Sequence, residues 1–103
     1  MGHGRVAFPE MAWVAGAHPL ERKKSDPRWP VALLEFAPGF HDPNWCERGH
    51  QGLVLVGEFG LEFETGSVRY PVGESFCIER GTRHRAFNPA AVPVRIFVVS
   101  SDA

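Results

Sequence analysis

The chain has 103 residues, 44% of them hydrophobic, and its 11 basic and 12 acidic residues give a formal net charge of −1. That length holds one domain, and that hydrophobic fraction builds a packed interior, which excludes a disordered segment. The balanced charge carries no footprint for nucleic acid, and no apolar stretch approaches the ~20 residues that cross a bilayer. Neither nucleic acid nor membrane is therefore expected as a partner.

Nine prolines and eleven glycines cut the sequence into short pieces. No long run shows helical apolar spacing; apolar pieces of about four to seven residues recur, bounded by Gly, Pro, Asn or Asp. The start, Met1-Gly2-His3-Gly4-Arg5, lacks the apolar core of a secretory signal, so a cytoplasmic location with reduced cysteines is expected. Met11 to Ala15 reads as a first strand. His18 to Pro30 reads as a polar loop in which Arg22-Lys23-Lys24, flanked by Glu21 and Asp26, is solvated. Val31 to Ala37 is the next strand, closed by Pro38-Gly39, and Asn44 to Cys46 begins a further extended stretch. Gln51 to Val56 is strongly apolar, and Gly57 turns it. Phe59 to Glu64 alternates and ends at the hairpin signal Thr65-Gly66; Val68 to Tyr70 pairs back. Ser75 to Glu79, His84 to Phe87 and Val94 to Ser100 complete the set, the last with Val94, Ile96 and Val98 on one face. About eight or nine short strands fit an all-β jelly roll or small barrel that encloses a ligand or metal in its mouth. The expectation is a single domain over 1–103, with an N-terminal strand and loop in 1–30 and a barrel core in 31–100. A domain this small gains from burying surface in a homodimer, which is also expected.

Donor residues fall in two places: Asn44-Trp45-Cys46-Glu47-Arg48-Gly49-His50, and His84 between Arg83 and Arg85. Positions 44, 46 and 50 share strand parity, so an extended chain turns them to one face unless Arg48-Gly49 bulges. A thiolate and two imidazoles suit zinc, iron, nickel or copper, and three protein ligands leave a position open.

The stretch Gly73 to Asn88 resembles the second signature of the cupin superfamily: Gly, five residues, Pro, one residue, Gly, two residues, His, three residues, Asn. Gly73, Gly81, His84 and Asn88 fall on it, and Glu79 stands at the Pro. The first signature, His-x-His, three or four residues, Glu, six residues, Gly, resembles Gly39 to Gly57 in altered form. There Asn44 and Cys46 stand at the two histidines and His50 at the glutamate. The resemblance implies a cupin-type double-stranded jelly-roll barrel. It also implies a divalent metal ion, such as zinc, iron, nickel or manganese, held by Cys46, His50 and His84. The implied function is binding, or metal-dependent conversion, of a small molecule, as in dioxygenase and isomerase members. The alternative is a non-catalytic binding cupin with a degenerate metal site.

Around these residues, Asn44, Arg83 and Arg85 are candidate contacts to substrate or metal-bound water; Asn44 alternatively caps the turn after Pro43. His41 and Asp42 are loop donors, and Glu47 faces solvent. Cys77 reads as a small core residue. Trp45, Phe59, Phe63, Phe76, Phe87 and Phe97 read as core or pocket wall, and Trp13 and Trp29 as candidates for a dimer contact. His3 and His18 are not expected to bind metal.

Overall fold

Period-two burial along the apolar pieces at 50–56, 75–78 and 94–100 is what turns one side of each toward the core. The computed structural model describes residues 2–100; Met1 and 101–103, within the expected domain span, lie outside the described residues. After a 3-10 turn at Phe8–Glu10 come β1 (Val14–Ala15), β2 (Glu21–Ser25), β3 (Val31–Phe36), β4 (His50–Val56) and β5 (Glu58–Phe63). β6 (Gly66–Pro71), β7 (Ser75–Ile78), β8 (His84–Phe87) and β9 (Val94–Ser100) follow. All pairings are antiparallel. A large sheet has the order β1-β2-β3-β9-β4-β7, and a small one the order β6-β5-β8. The all-β jelly-roll expectation holds in this two-sheet form.

Between the sheets lies the core. Phe36, Val54, Phe76, Ile78, Val94, Ile96 and Val98 come from the large sheet and Phe59 and Leu61 from the small one, with Phe40 closing one end. Val94, Ile96 and Val98 share the inner face of β9, as their alternation requires. The same alternation moves Cys77. It stands between Phe76 and Ile78, which take the inner face, so the cysteine expected in the core is exposed. Phe97 likewise faces outward, 6.1 Å from the Phe8 ring in an edge-on contact. Gly52 and Gly57 are two of the sites where the backbone suits only glycine. A Cβ at Gly52 would stand 2.3 Å from Phe76 Cζ, and one at Gly57, where φ is +78°, would stand 2.5 Å from the Pro93 carbonyl oxygen.

The N-terminal region departs from expectation. Residues 18–30, read as loop, contain β2, paired in register with β3 from Glu21↔Phe36 to Ser25↔Ala32. Its charged residues are no obstacle because β2 lies near the sheet edge, where backbone pairing decides and side chains can stay wet. Arg22 binds Glu35, Lys24 Nζ donates to the Phe8 carbonyl at 2.9 Å, and both cations lie over the Trp13 ring. Trp13 is therefore half-buried within its own chain, and Trp29, also half-buried, packs on Gly4.

Candidate metal centre

β8 and the irregular segment before β4 are joined by backbone hydrogen bonds, and that junction builds the site. Cys46 N donates to the His84 carbonyl at 2.8 Å and His84 N to the Cys46 carbonyl at 2.9 Å. Asp42 N bonds the Ala86 carbonyl at 2.9 Å, and Gly81 N bonds the Glu47 carbonyl at 2.8 Å. Segment 41–47 thus runs beside β8 as an interrupted strand, bridged at His41↔Phe87 and Cys46↔His84. Opposite them, His50 opens β4 in the large sheet, paired with Ile78 on one side and Ser100 on the other. Residues 47–49 belong to no strand, and β4 begins at His50, its register break falling later, between Val54 and Val56. His50 shares the inner face of β4 with Gly52 and Val54.

The ligand atoms of Cys46, His50 and His84 all lie within 4.8 Å of one another. The two imidazole rings are 5.6 Å apart and nearly perpendicular, at 89°. His84 is buried, and its Nδ1 stands 2.7 Å from the Thr82 carbonyl oxygen. A carbonyl only accepts, so that bond keeps the proton on Nδ1 and the lone pair on Nε2. Cys46 Sγ accepts a hydrogen bond from Arg48 N at 3.4 Å. A soft sulfur and two imidazoles at this separation fit a single divalent ion, and the His84–carbonyl bond is the outer support such a ligand uses.

A cavity of about 160 Å³ adjoins the three side chains. Its walls are chiefly apolar, among them Phe36, Phe40, Phe59, Leu61, Phe76 and Ile96, while Glu21, Asp42 and Arg85 supply charge. Arg85 Nε donates to Glu62 Oε1, and its guanidinium lies 4.3 Å from the Trp45 ring centroid. The Arg85 hydrogen bond lowers the Glu62 carboxyl below its usual range despite partial burial, and His41 adds to the effect. Arg83 lies over the same Trp45 ring, 4.8 Å from its centroid, but does not line the cavity.

Asn44 is exposed and outside the cavity lining. Its N–H donates to Asp42 Oδ1 at 3.0 Å, an Asx turn that breaks the extended parity, so Asp42 takes the inward place. His41 turns outward to Glu62 at 3.3 Å. Glu47 is exposed. Trp45 packs under the arginines and Phe87 against Gly60, whereas Phe59 and Phe76 do form cavity wall. Glu21 in the cavity wall was missed, because nothing local marks a charged segment as a strand with an inner face.

No protein-family model matches the sequence, and no curated protein does. Solved structures do resemble it. The polyketide cyclase RemF of Streptomyces resistomycificus superposes with a TM-score of 0.81 at 22% identity, over 95% of this chain and 78% of its own. The Drosophila melanogaster CENP-C cupin domain gives 0.74 at 19%, over 92% and 78%. KdgF from a Halomonas species gives 0.72 at 24%, over 94% of each chain. At these identities the likeness defines the fold, and this chain is folded as a cupin.

Proposed function

We propose that this protein binds one divalent metal ion through Cys46 Sγ and the imidazoles of His50 and His84, and applies it to a small, mainly apolar molecule in the adjoining cavity. The observation that carries the reading is the convergence of three soft or borderline donors from both sheets within 4.8 Å. The donor set favours zinc, then iron or nickel; manganese prefers the oxygen ligands this triad lacks. A bound ion there supplies Lewis-acid polarisation of a substrate oxygen, or a water of lowered pKa. Thr82 fixes the His84 tautomer, the phenylalanine walls exclude water, and Asp42 and Glu21 are the carboxylates within the cavity that can take or return a proton.

The replaced carboxylate and both replaced histidines of the first signature favour a second reading, a binding cupin without turnover. Cobalt substitution separates the parts of the proposal. Thiolate-to-cobalt absorption should appear in the wild type and vanish in Cys46→Ala; its absence from the wild type contradicts ligation by Cys46. Turnover by the metal-loaded protein then decides between enzyme and binder. The proposal includes a reducing, cytoplasmic setting, in which Cys46 stays a thiol. It also includes a homodimer, supported by Leu53, Leu55 and Val56, which lie exposed together on β4. Sedimentation at micromolar concentration tests the dimer, and a monomer there removes it.

A further inference from the structure

Arg85 is held by two contacts that leave part of its hydrogen-bonding capacity unused. Its Nε is bound to Glu62 and its plane rests on Trp45, which fixes the direction of the guanidinium. Among the described residues its two terminal nitrogens have no hydrogen-bond acceptor, although the side chain lines the cavity beside His84 and Asp42. A terminal guanidinium edge with two parallel N–H donors matches a carboxylate. Arg83, on the same Trp45 ring and with no acidic partner among the described residues, adds a second positive charge nearby. Glu62 balances one of the two. Apart from Arg85, the carboxylates of Glu21 and Asp42 and the three candidate metal ligands, the cavity walls are aromatic and aliphatic.

From this we infer that the ligand of this site is a small apolar or aromatic carboxylate. Its ring or chain occupies the phenylalanine-lined cavity, and its carboxylate is received by the terminal nitrogens of Arg85. The inference rests on the metal-site reading for the ligand's position beside the ion, but the Arg85 subsite itself needs no metal. Asp42 and Glu21 set a limit: their negative charges oppose the ligand anion, so removing one should strengthen binding.

The test uses benzoate and its neutral isostere benzamide with the full chain, loaded with zinc and zinc-free, read by thermal shift and zinc content. Benzoate should raise the melting temperature and benzamide should not. Arg85→Gln should weaken benzoate binding about tenfold or more while keeping its zinc. Arg85→Lys, which keeps the charge but not the fork, should fall between, and Asp42→Asn should bind benzoate more tightly. Equal binding of benzoate and benzamide would overturn the inference. So would benzoate binding that survives Arg85→Gln but disappears in His84→Ala, since the metal alone would then hold the carboxylate. Benzoate binding by zinc-free protein that still depends on Arg85 would uphold the subsite even if the metal reading failed.

Discussion

Asn88 shows what a single motif residue does here. It is buried, its side-chain N–H groups donate to the carbonyls of Phe36 at 3.2 Å and Val92 at 2.9 Å, and its oxygen accepts from Ala90 N at 2.9 Å. The asparagine of the second signature therefore ties the β8–β9 turn to the end of β3 and makes no contact with the candidate metal centre. Asn88→Ala should cost about 1–3 kcal/mol by stranding buried carbonyls, with metal content unchanged, as chemical denaturation and zinc assay would show. Gly52→Ala should destabilise by about 1–3 kcal/mol, because Phe76 and the Phe97 carbonyl leave no room for a methyl group. At this scale the convergence of Cys46, His50 and His84 was legible, since motif spacing survives folding. Asn44 and Cys77 were not. An Asx turn reset the parity of the first, and larger apolar neighbours took the inner face from the second.

Among the elements, β3, β4, β5, β7, β8 and β9 were readable to within a residue or two, because each is an apolar run with Gly, Pro or Asn at or near at least one of its ends. β2 was hidden by its charge, and those charges do structural work. Glu35 on β3 accepts from Arg22 on β2 at 2.6 Å and from Arg95 on β9 at 2.7 Å, so one carboxylate clasps three strands. Burial pushes the Glu35 pKa up, but the hydrogen bonds from Arg95 and Arg22 outweigh it and hold the group below its ordinary 4.5. A lowered folded-state pKa gives stability that is present above the unfolded value and is lost as pH falls through the folded one. Urea midpoints should therefore drop on acidification below about pH 4.5, and drop less in Glu35→Gln. A parallel decline in both proteins would remove Glu35 from the account. Segment 41–47 follows a similar logic: its bonds to β8 bring Cys46 beside His84, and Gly81, at φ +93°, supports them through its bond to Glu47.

For the molecule as a whole, the candidate metal centre sits where the two sheets meet, with His50 from the large one and His84 from the small one. An ion there would link the sheets as well as serve a ligand. If it binds only the folded chain, saturation at one hundredfold over Kd adds ~2.7 kcal/mol, or roughly 10–20 °C in Tm for a domain of this size. Chelation should reverse that gain, and a Tm indifferent to chelator would mean that no such link exists. The central claim is the three-residue metal centre, and elemental analysis of freshly purified protein tests it most directly, with Cys46→Ala and His84→Ala alongside. The account predicts close to one zinc, iron or nickel per chain in the wild type and a marked loss in both variants. Metal-free wild type that takes up no ion on incubation, or variants that retain the full complement, would contradict it.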